Sequence, residues 1–376
     1  MVGTMKKVWA LLSCAVVLAA CSTQTEPKAK TEPTQKPEFE WTKVSPAQAG
    51  FDPKKLDKVI TETQNLGSSC LVIVKDGKLV TEKYWRGETP TTRRPAFSVT
   101  KSVGSVLIGM AQDDGDLDVD QRASTYIREW QGTASEKVTI RNLLSNDSGR
   151  EWTEELDYGK LFSVENRTEF AVGLGQMAKP GTVWVYNNAA IQTLDRVLRE
   201  ATGERPYEMA RDRLFVPLGM KNSRMANDAS TKSTGIAEGL LSTCMDLARF
   251  GLMIEQDGVW QGEQIVSADW IKEATGKSSQ KLNSAYGLLW WVNRSGTIRS
   301  WLDPGTSKPP VVQDRKQLVP GAPKDLFSAM GFGGQFVMID PGSHTIVVRM
   351  GDPNVDGRLS EYGFSDAARV VTYALK

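Results

Sequence analysis

A serine and a lysine three residues apart form a pair with the potential for nucleophilic chemistry. The stretch from Pro95 to Met110 reads PAFSVTKSVGSVLIGM. If this stretch is helical, Ser98 and Lys101 lie one turn apart and their side chains can meet. A serine hydroxyl becomes a good nucleophile when a neighbour takes its proton, and a desolvated lysine can do so in its neutral form. We therefore predict that Ser98 is a nucleophile and that Lys101 activates it.

The same two residues also have a structural interpretation, in which Ser98 caps a helix and Lys101 is a solvated surface residue. The spacing alone does not decide, because Ser278 and Lys281 repeat it in the polar run GKSSQKLNS, where no amphipathic helix follows. The first pair differs because apolar residues follow it at helical spacing. These residues are Val99, Val103, Val106, Leu107 and Met110.

The composition excludes several other kinds of site. His344 is the only histidine among 376 residues, so a Ser-His-Asp triad or a multi-histidine metal site would have to include it. It follows a D-P-G-S turn between two apolar runs, which predicts a hairpin and a structural or surface histidine. The formal net charge of +1 gives no nucleic-acid footprint. We predict catalysis without histidine, metal or cofactor.

The N-terminal region has the pattern of an exported protein. In residues 1–21, Lys6 and Lys7 precede an apolar run that is too short to span a membrane comfortably, and the run ends in LAAC, which resembles a bacterial lipobox. We predict a lipoprotein signal peptide with lipidation at Cys21; an ordinary signal peptide with an incidental cysteine is the alternative. Residues 22–44 are polar and predict a disordered tether. The protein would then be anchored to a membrane in the cell envelope, and to the periplasmic face of the outer membrane in a Gram-negative cell.

The rest of the chain predicts an α+β fold. Asp52 and Pro53 have the pattern of a helix start, and Asp76-Gly77 joins two strand-like runs between Cys70 and Tyr84. Helical patterns dominate the middle, and strand patterns return from Ala285. We predict a serine hydrolase domain at 45–376, with an antiparallel sheet built from both of its ends, flanked by helices. The sheet lobe covers about 45–95 and 285–376, and a mainly helical lobe is inserted at about 96–284.

Two cysteines remain in the folded part of such an exported protein. Cys14 lies in the signal segment and Cys21 would carry lipid, which leaves Cys70 and Cys244. Their separation in sequence does not decide whether they pair. We expect both to be unpaired and buried.

Two further motifs follow the serine and the lysine. Tyr186-Asn187-Asn188 is the only Y-x-N in the chain and precedes an apolar helix, and Phe332-Gly333-Gly334-Gln335 opens a strand. Each motif alone is compatible with a turn or a bulge. Together with Ser98-Val99-Thr100-Lys101, in this order, they resemble the three active-site motifs of the serine β-lactamase and penicillin-recognising superfamily. The class C-like branch is most similar, with its serine esterases and 6-aminohexanoate-dimer hydrolases.

The resemblance implies a role for each residue at a matching position. Ser98 would be acylated, Lys101 would help to deprotonate it, and Tyr186 would act as general base and return the proton to the leaving group. Tyr186 would need nearby positive charge, such as that of Lys101, to favour its phenolate. Asn188 would orient Lys101 and the substrate carbonyl. The remaining assignments concern the third motif: backbone N–H groups of Ser98 and Gln335 would form an oxyanion hole, and Phe332, Gly333 and Gly334 would line the substrate path.

One departure from the family pattern bears on the substrate. In most β-lactamases the third motif begins with a lysine that binds the antibiotic carboxylate, whereas this chain has Phe332, which resembles the esterase branch. We therefore predict acyl-enzyme chemistry on esters or small amides, with weak or absent cleavage of β-lactams. The alternatives are a β-lactamase or D-alanyl-D-alanine carboxypeptidase and, in another class, a non-catalytic penicillin-binding-like sensor.

Two other segments carry open interpretations. Trp290, Trp291 and the loop 294–325 either wall and cover the acyl pocket, or are respectively core residues and a surface excursion. Glu151, Asp157 and Tyr158 resemble an entrance rich in acidic residues and tyrosine found in amide hydrolases of the family.

Overall fold

The main sheet of the protein is antiparallel, and its strands come from the two ends of the domain. A computed structural model describes residues 39–302, 317–355 and 357–376. The predicted signal peptide, Cys21 and residues 22–38 of the tether lie outside them, as do residues 303–316 of the loop. The strands are β1 Ser68–Lys75, β2 Lys78–Tyr84, β3 Arg94–Pro95, β4 Arg224–Met225, β5 Leu240–Ser242, β6 Val259–Trp260, β7 Glu263–Gln264, β8 Trp291–Val292, β9 Phe327–Gly331, β10 Gln335–Asp340, β11 Thr345–Gly351, β12 Asn354–Val355 and β13 Arg358–Leu359.

Six of these strands form the main sheet, in the order β2-β1-β11-β10-β9-β8. The first two strands belong to the N-terminal end of the domain and the other four to its C-terminal end. In the register, Ile73 of β1 lies opposite Val347 of β11, and Met338 of β10 lies opposite the same residue. The predicted fold class, an antiparallel sheet assembled from both ends, is confirmed.

Helices lie on the sheet and fill the segment between its two halves. The α-helices are α1 Pro53–Asn65, α2 Val99–Asp113, α3 Ile140–Ser145, α4 Leu161–Ser163, α5 Arg167–Gly173, α6 Asn188–Gln192, α7 Leu194–Thr202, α8 Pro206–Met209, α9 Cys244–Glu255, α10 Ala268–Gly276 and α11 Phe364–Arg369. Three π-helical segments occur at Glu155–Lys160, Ala210–Phe215 and Val370–Ala374. Short 3-10 turns occur at Ala123–Thr125, Arg128–Trp130, Ala134–Lys137 and Pro341–Ser343.

The local signals at the N-terminal end of the domain act as predicted. Asp52 Oδ1 accepts hydrogen bonds from Lys54 N at 3.0 Å and Lys55 N at 3.2 Å, so it caps α1. Asp76 and Gly77 both have positive φ, at 50° and 69°, as a two-residue hairpin turn requires. This hairpin places β1 in the interior of the sheet, between β2 and β11.

Helix α2, which begins directly after Ser98, is buried on all sides. Every residue from Val99 to Ala111 is buried, including the polar face. Ser102 Oγ donates to Leu289 O at 2.8 Å, and a Cβ at Gly109 would lie 2.3 Å from the Trp270 ring. The helix is therefore a central element, and its polar face is enclosed by protein instead of facing solvent.

The expectation of two unpaired cysteines is wrong. Cys70 in β1 and Cys244 at the start of α9 form a disulfide, with their Cα atoms 6.4 Å apart. Thr243 caps α9 by accepting a hydrogen bond from Asp246 N at 3.1 Å, so the helix begins at Cys244. This end of the helix lies beside β1, which contains Cys70. The two cysteines are 174 residues apart in sequence, and the packing of α9 on the sheet brings them together.

His344 lies on the surface of the hairpin between β10 and β11, as its turn predicts. Its φ of 51° places it in the left-handed region, and its Nδ1 lies 2.6 Å from Glu255 Oε1. Its side chain is 61% exposed. The described part of the chain contains no helix with enough length and apolar character to span a lipid bilayer.

Candidate active site

Ser98 occupies the position before α2, but its hydroxyl does not cap the helix. Phe97, directly before it, has a φ of 48°, an uncommon backbone conformation for a residue with a side chain. Ser98 Oγ makes no capping hydrogen bond to the first turn. The hydroxyl is therefore available for a different partner, and the alternative of a capping serine does not hold.

That partner is Lys101, which is buried at the first turn of α2. Its Nζ lies 2.7 Å from Ser98 Oγ and donates a second hydrogen bond at 2.7 Å to Ala237 O. Burial lowers the pKa of Lys101 to about 7, although the charges of Asp157 and Glu238 act in the opposite direction. A substantial fraction of the amine is then neutral at pH 7 and can accept a proton.

The second serine–lysine pair has no such arrangement. Ser278 Oγ donates to the carbonyl oxygens of Gln280 at 2.7 Å and Asn283 at 2.8 Å, and Lys281 is exposed. The two pairs differ in their surroundings. Lys101 belongs to a helix that is buried from Val99 to Ala111, and this burial removes its amine from water.

Tyr186, two residues before α6, lies beside Ser98 and Lys101. Its buried ring has Lys101 Nζ 5.0 Å from the ring centroid. Burial raises the pKa of Tyr186 above that of a free phenol, although a hydrogen bond with Ser98 acts to lower it. The predicted phenolate of Tyr186 is therefore disfavoured in this structure, because burial acts against the charged form of this side chain.

Aromatic neighbours hold the Tyr186 ring. Trp291 stacks on it with centroids 5.9 Å apart, and Tyr286 meets it edge-on at 6.0 Å. Trp290 instead packs in the core, stacked on Phe250 at 6.1 Å. Of the two interpretations of this tryptophan pair, the wall of the pocket applies to Trp291 and the core applies to Trp290.

Asn188 connects the tyrosine motif to Asp157. Asn188 Nδ2 donates to Asp157 Oδ2 at 2.8 Å, and the backbone N–H groups of Asn188 and Ala189 donate to the same carboxylate at 3.1 and 2.8 Å. Asp157 lies in the π-helical segment Glu155–Lys160, and burial raises its pKa. Asn188 is thus held by Asp157, whose charge in turn acts on Lys101; the orientation of Lys101 and the substrate carbonyl by Asn188 stays a prediction.

The third motif forms the tight turn between β9 and β10. Gly333 and Gly334 have φ of 73° and 79°, where a side chain would be strained. A Cβ at Gly331 would lie 2.3 Å from Ala96 O and 3.2 Å from Ser98 N. This glycine therefore lets the end of β9 pass directly beside the nucleophile.

Gln335 does not have the predicted position in the site. It pairs with Gly331 in the sheet, and its buried side chain bonds Phe332 O at 3.0 Å and both the O and the N of Gly351, at 3.0 and 2.9 Å. It braces the turn from behind. In the described chain, the backbone N–H groups of Ser98 and Phe332 have no hydrogen-bond acceptor. Gly334 N donates to Gly331 O at 3.1 Å, and the Phe332 N–H belongs to the same trans peptide group as that oxygen, so it points in the opposite direction, out of the turn.

Ser98 lies where two cavities meet. The smaller, of about 190 Å³, is lined mainly by apolar and aromatic residues, and the larger, of about 420 Å³, includes Asn188, Glu154 and Glu238. Tyr158, Trp301 and Phe332 border both. No lysine, arginine or histidine is among the described residues that line them. A groove of about 540 Å³ along β2 contains none of the predicted site residues.

This arrangement agrees with comparisons of the chain with known proteins. A model of the Beta-lactamase family matches residues 56–357. The chain belongs to the β-lactamase family. It is 22% identical over 316 residues to the 6-aminohexanoate-dimer hydrolase of Paenarthrobacter ureafaciens, and the match covers 78% of this chain and 76% of that protein.

Solved structures share the fold of this β-lactamase family member. A proposed 6-aminohexanoate-dimer hydrolase from Bacillus anthracis gives a TM-score of 0.67 at 19% identity, with 86% of this chain and 84% of that chain covered. A family VIII carboxylesterase gives a TM-score of 0.62 at 16% identity, with 85% and 96% covered. The chain is therefore a serine hydrolase of the β-lactamase fold.

Several residues of this β-lactamase-family site were not among those predicted from the sequence. The carbonyl of Ala237 holds Lys101, Glu238 adds charge beside it, and Trp301 borders both cavities. None of the three has a sequence signal, because each reaches the site through the packing of its loop. Of the segment resembling an acidic entrance, Tyr158 lines both cavities, Asp157 is buried beneath Asn188, and Glu151 accepts a hydrogen bond from Gly175 N at 2.8 Å.

Proposed function

We propose that this serine hydrolase forms an acyl-enzyme at Ser98 and acts on esters or small amides. The observation that carries the proposal is the 2.7 Å distance between Ser98 Oγ and Lys101 Nζ, together with a pKa of about 7 for that lysine. The neutral amine takes the hydroxyl proton while Oγ attacks the carbonyl carbon. No metal or cofactor takes part in this step.

Two backbone donors support the tetrahedral intermediate. The oxyanion accepts hydrogen bonds from the N–H groups of Ser98 and Phe332, both of which lack another acceptor in the described chain. This assignment replaces Gln335, whose side chain and pairing belong to the turn. The passage of Gly331 beside Ser98 supports it, since Phe332 follows immediately.

Tyr186 completes the proton path as a neutral phenol. When the carbon–oxygen or carbon–nitrogen bond of the substrate breaks, the Tyr186 hydroxyl gives its proton to the leaving atom and takes one from the Lys101 ammonium. The alcohol or amine departs, and Ser98 keeps the acyl group. Water then attacks the acyl carbon, its proton follows the path in reverse, and the acid is released as Ser98 recovers its proton.

The substrate class follows from charge. The carboxylate of a β-lactam antibiotic would find no lysine at position 332 and no other cation among the described lining residues. Neutral esters and small amides need no such partner. Two similar proteins, a 6-aminohexanoate-dimer hydrolase and a family VIII carboxylesterase, support these two substrate classes.

We also propose that the protein is a lipoprotein anchored in the cell envelope through Cys21. The support is the sequence alone, namely the lysines, the apolar run and LAAC. Metabolic labelling with radioactive palmitate should mark the wild-type protein and leave Cys21→Ser unlabelled. Label that persists in that variant would contradict the anchor.

The test of the catalytic proposal is active-site labelling followed by mass spectrometry. A fluorophosphonate probe should label the wild type and Ser278→Ala, but not Ser98→Ala. A short-chain nitrophenyl ester should be hydrolysed faster than a chromogenic cephalosporin or a D-Ala-D-Ala peptide. A faster cephalosporin or peptide would favour the β-lactamase or carboxypeptidase alternative, and an unlabelled wild type that turns over none of the three would favour the sensor.

A further inference from the structure

We propose that the smaller cavity binds the acyl chain of the substrate, and that the enzyme prefers uncharged acyl groups of medium length to acetyl. This inference rests on the proposed function, because it assigns the two halves of the substrate to the two cavities that meet at Ser98. It makes Met330 and Leu359 specificity-determining residues.

The smaller cavity has the lining that an apolar chain requires. Beyond Ser98 and the glycines of the turn it is bordered by aromatic and aliphatic side chains. These are Tyr158, Tyr186, Trp291, Trp301, Met330, Phe332, Leu359 and Tyr362, with Ser360 beside them. No side chain in this lining carries a formal charge near neutral pH, so a charged acyl group would lose its hydration without gaining a partner.

A second space lies beside this cavity and has no contact with the nucleophile. It has a volume of about 490 Å³ and shares Trp291, Trp301 and Met330 with the smaller cavity. Ile298, Leu318 and Phe364 continue the apolar surface, whereas Arg299, Glu361 and Asp366 are the charged residues of its lining. Trp291, Trp301 and Met330 thus separate the smaller cavity from a lining that contains charged groups, and the volume of the smaller cavity sets an upper limit on the useful length of the acyl chain.

The other cavity is less suited to the acyl chain. Glu154 and Glu238 line it together with Asn188. Glu238 is held by Arg167, whose Nη1 lies 2.9 Å from its Oε1. Carboxylates and an amide match a polar or cationic leaving group better than an alkyl chain. The acyl group is thereby directed to the apolar side and the leaving group to this one.

Exposed apolar side chains surround the entrance. Of the five large hydrophobic side chains that are exposed in the described chain, three border the two cavities: Leu302, Phe332 and Leu359, at 47%, 46% and 52% exposure. Phe332 also meets Phe97, the residue before the nucleophile, edge-on at 5.8 Å. We call Leu302, Phe332 and Leu359 the collar. An alkyl chain that covers the collar removes apolar surface of both the chain and the protein from water.

The experiment measures kcat/KM for nitrophenyl acetate, butyrate, hexanoate and octanoate. We expect values to increase along the series by up to about fourfold per methylene, the factor that corresponds to burying one such group. Met330→Trp places a larger side chain in the lining of the smaller cavity and reduces its volume, so the ratio of octanoate to acetate should fall at least tenfold. Leu359→Ser removes part of the collar and should lower the same ratio about two- to fivefold.

Val216→Ser is the matched control, because Val216 is 67% exposed and borders neither cavity. Its octanoate-to-acetate ratio should equal that of the wild type. A wild type that prefers acetate would overturn the inference, and so would an unchanged ratio of octanoate to acetate in both pocket variants. If Met330→Trp does not fold, the wild-type series and Leu359→Ser decide. If no ester is hydrolysed, the fluorophosphonate probe decides between two explanations. Labelled Ser98 would mean that the acyl pocket is wrong, and unlabelled Ser98 would mean that the nucleophile is wrong.

Discussion

The amine of Lys101 lies 2.7 Å from the hydroxyl of Ser98, at the first turn of a helix that is buried along its whole length up to Ala111. The helical spacing makes the contact possible, and the burial gives the lysine its chemistry. A solvated lysine at the same spacing would be protonated at pH 7 and unable to accept a proton. Here its pKa of about 7 leaves much of it neutral.

Replacing Lys101 by arginine should remove most of the activity. Arginine keeps the positive charge but does not deprotonate in proteins, so Ser98 loses its base. The expected loss in kcat/KM for a nitrophenyl ester is about 10²- to 10⁴-fold, the usual contribution of a general base. Lys281→Arg, in the second serine–lysine pair, is the control and should retain wild-type activity. A Lys101→Arg enzyme with more than a tenth of the wild-type rate would exclude this lysine as the base.

The wild-type activity should increase with pH and level off above about pH 7. Below the pKa of Lys101 the amine is protonated and cannot accept the serine proton; above it the neutral form predominates. The check is a profile of kcat/KM from pH 5 to 9 with a neutral ester. A flat profile across this range would mean that the group taking the proton titrates elsewhere.

Asp157→Asn should move this profile to lower pH. The carboxylates of Asp157 and Glu238 stabilise the ammonium form of Lys101, so removing one negative charge lowers the lysine pKa. We expect the midpoint to move to lower pH, with a lower plateau because asparagine has one oxygen for the three N–H groups that donate to the Asp157 carboxylate. Asp195→Asn is the control, since Asp195 is equally buried but bonds Thr168 and Thr234. An unshifted midpoint in the Asp157 variant would assign that residue a purely structural role.

Phe332→Lys should increase the hydrolysis of carboxylate-bearing β-lactams. The new ammonium would supply the cation that the described lining of both cavities lacks. An increase of about five- to tenfold in kcat/KM for a chromogenic cephalosporin is expected, corresponding to about 1–1.4 kcal/mol from a partly exposed ion pair. Leu359→Lys adds the same charge at the collar and tests whether position 332 matters. Equal gains in the two variants would indicate a general charge effect.

Reduction of the Cys70–Cys244 disulfide should destabilise the fold. The bond closes a long loop that joins β1 to the start of α9, so breaking it increases the entropy of the unfolded chain. The expected loss in the free energy of unfolding is about 2–5 kcal/mol. Urea unfolding with and without dithiothreitol measures it, and the double variant Cys70→Ser/Cys244→Ser should match the reduced protein. Identical unfolding midpoints under both conditions would support the original expectation of free thiols.

Local patterns in the sequence were sufficient where one segment determines its own structure. Asp52 caps α1, and Asp76 and Gly77 form the hairpin turn, because each depends on backbone groups within a few residues. The fold class followed from the order of these elements. The three motifs were found by resemblance, since their residue types are distinctive even though long segments separate them.

Long-range packing decided what the patterns could not. Gln335 matches its motif, but its side chain bonds Gly351. The backbone N–H without an acceptor is that of Phe332, on the other side of the turn. Tyr186 was expected to be favoured as a phenolate, and enclosure by Trp291 and Tyr286 makes that charge costly instead. Both corrections depend on neighbours that are at least 100 residues away or on the other side of a turn.

The sequence by itself determined which residue types meet at the nucleophile: the spacing pairs Ser98 with Lys101, and the family resemblance adds Tyr186 and the glycines of the turn. Only the tertiary structure decided their protonation, the donors beside the serine, the disulfide and the two unequal cavities. The physical reason is that desolvation, hydrogen-bond partners and cavity linings are properties of the space between segments. Ala237 accepts a hydrogen bond from Lys101, and Trp301 and Leu359 line the smaller cavity. No local pattern in the sequence connects these three residues to Ser98.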